Sequence, residues 1–156
     1  MDAKVLLCDF AEVSGGKLFI TGAGISLLAS GAPAAPFPVN ISLAVLVSIL
    51  WTETDSQHAM TIELISEASG AQERVMLSDQ LPEGHDPADM GMMVLTFSAQ
   101  RNPAMIPGDE FTMPVAIPFF GLPLPEQGPY FFSVRIDGRE MDRASFRLVP
   151  RQPGLQ

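Results

Sequence analysis

Apolar residues recur at every second position through most of this chain. From Val39 the odd positions read Val39, Ile41, Leu43, Val45, Val47 and Ile49, while the even ones include Asn40, Ser42, Ala44 and Ser48. Side chains alternate across a strand, so this period of two predicts a strand with one strongly apolar face. Its semi-polar opposite face is expected to meet solvent or a partner. Trp51 stands at the strand end, before a polar turn over 52–58. Met60, Ile62 and Leu64 line the next strand, 59–66. A turn over 68–71 and a short return over 74–77 then make a meander of hairpins.

The same grammar holds on either side. Residues 4–13 predict a strand with apolar residues on both faces. Ser14-Gly15-Gly16-Lys17 is a hairpin turn, because glycine reaches positive φ at little cost. Residues 18–28 predict the return strand, with Gly22 and Gly24 marking a bulge or a close backbone approach. Gly22-Ala23-Gly24 is not a dinucleotide fingerprint, since Leu27 replaces the third glycine and no helix follows. Residues 30–38 form an Ala- and Pro-rich loop. Residues 79–91 are the longest polar stretch, with room for one short turn of helix at most. Met93, Leu95 and Phe97 share a face of a strand over 92–99, and turn signals fill 101–109.

Phe111, Met113, Val115, Ile117 and Phe119 line one face of a further strand, with Pro114 and Pro118 on the other. Proline cannot donate to a ladder, so this strand is expected at an edge or at a bulge. A proline-rich crossover over 121–128 follows. The last hairpin pairs Tyr130, Phe132, Val134 and Ile136 with Ala144, Phe146 and Leu148 around the two-residue turn Asp137-Gly138.

These eight or nine strands predict an all-β domain over 1–150, with a frayed tail over 151–156. Strands with one apolar face must bury it, and two packed sheets are the common solution at this size. The expected architecture is an antiparallel β-sandwich, immunoglobulin-like, with a closed barrel as the alternative. The 156 residues suffice for one core and make no case for two domains.

Composition narrows the function. Apolar residues make up 47% and charged residues 17%, which excludes a largely disordered chain. The net charge of −9 repels phosphate, and no stretch clusters Lys or Arg with aromatics. Neither a nucleic-acid partner nor an anionic membrane surface is expected. The longest apolar run, 39–50, is well short of a membrane span. Lys4 and a short apolar run interrupted by Asp9 do not make a secretory signal. With Cys8 as the lone cysteine, no disulfide forms within the chain, and a cytoplasmic protein is expected.

Asp9-Phe10-Ala11-Glu12-Val13, Gly16-Lys17-Leu18 and the strand from Pro38 to Trp51 resemble a small bacterial and phage family of unknown function. Gly121-Leu122-Pro123-Leu124-Pro125, Gly128, Tyr130 and Ile136-Asp137-Gly138 resemble its C-terminal half. The resemblance covers most of the chain. It implies a compact cytoplasmic β-sandwich and brings no catalytic or binding residues with it.

Candidate chemistry is sparse. Asp79, Glu83, Asp86 and Asp89 place oxygen ligands in one loop, as calcium requires, without the alternating spacing of an EF-hand. They define the alternative function, a calcium- or small-ligand-binding sandwich using residues 79–89. His58, His85 and Cys8 lack the ligand spacing of a zinc site. Asp9, Glu12, Glu63 and Asp137 are carboxylates near strands, read as structural rather than as a hydrolytic pair. Asp9 interrupts an apolar strand, where its expected role is a hydrogen bond to a neighbouring turn. No nucleophile elbow, phosphate loop or zinc-protease motif occurs, so no enzyme and no cofactor are expected.

The 9 Met and 10 Phe say more. Apolar residues on both faces of several strands leave one face for another chain, and Met suits an adaptable interface. The leading expectation is a non-enzymatic interaction module. It either self-associates or docks on a partner protein, through Trp51, Met92, Phe120 and Phe131.

Overall fold

The computed structural model describes residues 1–78 and 90–151. Eleven strands occur among them: β1 Asp2–Cys8, β2 Phe10–Ser14, β3 Lys17–Thr21, β4 Leu27–Ala29, β5 Phe37–Leu50, β6 Gln57–Ser66, β7 Glu73–Val75, β8 Met92–Ser98, β9 Glu110–Leu124, β10 Gly128–Ile136 and β11 Arg139–Val149. One 3-10 turn, Trp51–Glu53, follows β5.

The count exceeds the expected eight or nine because two expected strands each break. The strand predicted over 4–13 bends at Asp9, and the one over 18–28 leaves the ladder after Thr21, where Gly22 and Gly24 take φ of 66° and 90°. Both turn-forming pairs read from sequence close hairpins. Gly15 and Gly16 join β2 to β3, and Asp137 and Gly138 join β10 to β11, all four at positive φ.

The strands form three sheets. One has the order β1-β5-β9, antiparallel throughout. The largest runs β4-β11-β10-β6, with β7 and β8 both against the far side of β6. Val75 pairs with Leu64 and Met92 with Glu63, so β7 and β8 lie end to end along one edge. Among the described residues only β4 pairs in parallel, with the end of β11. The hairpin β2–β3 is the third sheet. The two main sheets stay open at their edges, so the barrel considered from the sequence is not formed.

β9 is an edge strand, as its prolines require. Pro114 and Pro118 sit opposite Leu46 and Ser42 of β5, and among the described residues no strand pairs with the far side of β9. The strand runs further than the sequence suggested, to Leu124. A bulge carries it past Gly121, whose amide donates to Asn40 Oδ1 at 2.8 Å. At this bulge Ile41 faces Phe119 and Val39 faces Leu122, so Phe120 turns outward.

One buried cluster joins the two main sheets. Val5, Leu7 and the odd positions of β5 meet Met60, Ile62, Leu64, Val134 and Ile136. Phe119 of the small sheet stacks on Phe132 of the large one at 5.2 Å between ring centroids. Phe146 lies 6.1 Å from Phe132 and 5.4 Å from Tyr130. Each such aromatic contributes about 1.5–3 kcal/mol through burial, which explains why the alternation is so regular here. Tyr130 brings a hydroxyl into this core. It donates to the Glu126 carbonyl at 2.5 Å and accepts from the Glu126 amide at 3.3 Å, fixing the corner where the chain crosses from β9 to β10.

Candidate interaction surface

The outer face of the small sheet carries the even residues of β5. Register places them in rows: Cys8, Ser42 and Pro118; Leu6, Ala44 and Ala116; Lys4, Leu46 and Pro114. The hairpin β2–β3 covers part of this face. Ala11 packs on Cys8 and Ala44, with Leu18, Ile20 and Ala116 around them. The small side chains let the two layers approach. Ser42 and Ala44, which read as a face for solvent or a partner, are 3% and 1% exposed under the hairpin.

Cys8 is fully buried there, with its Sγ 3.5 Å from the Ser42 carbonyl oxygen. Burial, helped by the Asp9 charge, pushes its thiol up from the ordinary range. It is a small buried hydrophobe, inert as a nucleophile. Asp9 itself is exposed at the bend. Its amide donates to the Thr21 carbonyl at 3.1 Å, and its carboxylate lies against Gly22 at the surface.

The hairpin covers only part of the sheet and is itself apolar outside. Eleven large apolar side chains are exposed among the described residues. Leu6, Phe10, Val13, Phe19, Leu46, Leu50 and Phe120 all belong to the small sheet or its hairpin. Phe10 and Phe19 sit diagonally across the outer side of β2 and β3, opposite Thr21 and Glu12 respectively. Sequence reasoning did not single them out. The signal was present: residues 10–20 carry apolar residues in both phases of the alternation, Ala11, Leu18 and Ile20 in one and Phe10 and Phe19 in the other.

The outer face of the large sheet is different in kind. Glu63, 6% exposed, is ion-paired with Arg74 and lies 3.9 Å from Arg135. Glu140 accepts from Ser133 Oγ at 2.9 Å and from Arg143 Nε at 2.8 Å. Arg143 and then burial set the Glu140 carboxyl, held below its ordinary value by the guanidinium. This face is laced by its own charges.

The four residues expected at an interface do not share a surface. Phe120 is 79% exposed on β9. Phe131 is 4% exposed on the opposite side of the molecule, with the Arg143 guanidinium 4.5 Å over its ring. Trp51 lies under Arg101, whose guanidinium carbon is 3.9 Å from the ring centroid and whose Nε donates to Thr54 Oγ1 at 2.8 Å. Met92 opens β8 and is half-buried. The proposed calcium ligands Asp79, Glu83, Asp86 and Asp89 lie outside the described residues. Among the described residues, no three His, Cys, Asp or Glu side chains gather as metal ligands.

His58 is the other titratable group with a built environment. Its Nδ1 is 2.7 Å from Asp137 Oδ2 and its Nε2 is 2.9 Å from the Glu53 carbonyl. Both partners are acceptors, an arrangement that favours the protonated ring and raises its pKa above the ordinary value. It ties β6 to the β10–β11 turn, and neither nitrogen is left to act as a base.

The chain belongs to a family of unknown function, DUF6941, whose model matches residues 4–149. No curated protein matches it. No helix among the described residues is long and apolar enough to cross a membrane.

Proposed function

We propose, from a chain of a family with no assigned role, that this protein is a non-enzymatic interaction module that docks through the outer face of β1–β5–β9 and its hairpin. The observation that carries this reading is the one-sided exposure of Leu6, Phe10, Phe19, Leu46 and Phe120, against a large-sheet face laced with ion pairs. A large exposed apolar patch on one face is the usual mark of a protein interface.

The fold reading that goes with it is an immunoglobulin-like sandwich. In that reading β1, β5 and β9 stand for strands A, B and E, and β11, β10 and β6 for G, F and C. The Tyr130 hydroxyl bonded four residues upstream supports it, as a tyrosine corner marks such crossings. The hairpin β2–β3 is then an insertion between the first and second strands, and β4 runs parallel to the last strand. Loops and insertions on a rigid sandwich are where this architecture places its binding residues. The uncovered face, the −9 charge and the single buried cysteine fit a cytoplasmic protein that meets another protein rather than nucleic acid.

The test is native mass spectrometry of the protein purified gently from its own host, beside Phe10→Asp/Phe19→Asp and Leu46→Asp variants. All three side chains point outward, so the folds survive, as melting curves check. Loss of the associated mass in the variants supports the reading. A partner protein that both variants retain, or a bare monomer from the host, overturns it.

A further inference from the structure

The two main sheets expose unequal edges. β9 carries Pro114, Pro118 and Pro123, each without an N–H to offer. β1 carries the charged Asp2 and Lys4, and β4 is three residues long. These are the devices by which a sheet edge is kept from pairing with another chain. β8 has none of them. Met92–Ser98 contains no charge, no proline and no glycine, and among the described residues it pairs on one side only, with β6. Val94 stands 51% exposed on its outer side. Met93, Leu95 and Phe97 face the core yet are only partly buried, while Met60 and Ile62 on the paired strand are 1% and 0% exposed. Among the described residues the ladder ends at this edge.

We propose that the edge is completed by β8 of a second copy, antiparallel, about a two-fold axis at Leu95. This register sets Met93 opposite Phe97 of the other copy on the core side, a thioether against an aromatic ring. It sets Val94 opposite Thr96 on the outer side, a β-branched pair suited to a sheet. The contact is self-complementary, as a two-fold dimer demands. Each chain carries a net charge of −9, so two copies repel one another where their acidic side chains meet. The uncharged β8 opposes none. The large sheet then runs unbroken through both copies. This surface is separate from the hairpin face, so the two proposals stand or fall independently.

Light scattering of the full chain over a range of concentrations tests it. A dimer is expected, and added salt should strengthen it by screening the net charge of the two copies. Val94→Lys/Thr96→Lys sets lysine against lysine in both outer pairs and should leave a monomer. Val94→Glu/Thr96→Glu should do the same, and mixing the two variants should restore a mixed dimer. Melting curves check that each variant folds, and the single Val94→Lys change replaces any double variant that does not. A parent chain that stays monomeric at its highest soluble concentration in raised salt overturns the proposal. So does a dimer that survives the lysine variants, and a dimer abolished instead by Phe10→Asp/Phe19→Asp assigns the contact to the hairpin face.

Discussion

His58 Nδ1 lies 2.7 Å from Asp137 Oδ2, and this pair fastens the β10–β11 turn to the start of β6. The Asp137 carboxylate also accepts the Ala59 amide at 3.0 Å, and the Asp137 amide donates to the Ala59 carbonyl at 2.9 Å. The hydrogen bond to Asp137 raises the His58 pKa above its ordinary 6.5, and the same bond lowers Asp137 below 3.8. The raised histidine contributes stability that is full below pH 6.5 and is lost as pH rises through its folded pKa. The depressed aspartate contributes stability that is full above pH 3.8 and is lost as pH falls through its own. The clip is therefore strongest between those two values. His58→Gln should lower the melting temperature most near pH 5 and progressively less above neutrality. Asp137 is half-exposed and screened, so the loss is about 0.2–1 kcal/mol. An equal loss at pH 5 and pH 9 would show that the histidine acts by packing alone, against Phe97 at 5.5 Å.

Tyr130 makes a different kind of anchor. Tyr130→Phe keeps the ring stacked on Phe146 and removes only the oxygen that satisfies the Glu126 backbone. The carbonyl is only partly buried, so losing this hydrogen bond should cost about 0.5–1.5 kcal/mol. Urea unfolding should show that loss with an unchanged slope, since the surface exposed on unfolding is the same. No change in midpoint would mean that water replaces the hydroxyl and that the corner is not fastened by it.

Much of the fold was legible because it follows from alternation. The odd residues of β5, the Phe111 to Phe119 face and the Asp137-Gly138 turn all stand where a period of two puts them. The breaks at Asp9 and after Thr21 were not legible. A strand that leaves one sheet and enters another keeps its alternation, so periodicity reads through the change. The bulge at Gly121 was hidden for the same reason, since Leu122 and Leu124 fell in a proline-rich stretch without a clean phase. The surface was harder still. Phe131 and Phe120 look alike in sequence, each beside another Phe. The first is covered by Arg143 of the neighbouring strand β11, and the second is bare at a bulge. Only long-range contacts decide between them.

The hairpin depends on a close approach at one glycine. A Cβ on Gly22 would sit 2.0 Å from Asp9 Oδ2, and its φ of 66° already disfavours a side chain. Gly22→Ala should destabilise the protein by about 1–3 kcal/mol, combining backbone strain with displacement of the Asp9 carboxylate. Asp9→Ala removes the carboxylate that the new methyl would strike. The double variant should therefore be more stable than the two single losses summed. Strict additivity would place the whole cost in φ and none in the contact.

Cys8 offers a direct reading of whether the hairpin stays closed. Its Sγ is fully buried beneath Ala11, and burial keeps the thiol protonated near neutral pH. Only the thiolate attacks a disulfide reagent, so both access and ionisation protect it. An aromatic disulfide reagent should label the native protein slowly and the urea-unfolded protein at once. Ala11→Asp places a charge against Cys8 and Ala44 and should lift the hairpin while the main core persists. Labelling of Cys8 should then rise several-fold with the near-ultraviolet signal of Trp51 and Tyr130 retained, since those rings lie outside the hairpin contact. If labelling and that signal change together, the hairpin does not open alone, and the layer over Ser42 and Ala44 is part of one cooperative unit with the core. If the parent chain labels quickly, the hairpin already opens in the native state, and Phe10 and Phe19 belong to a mobile docking element rather than a fixed one.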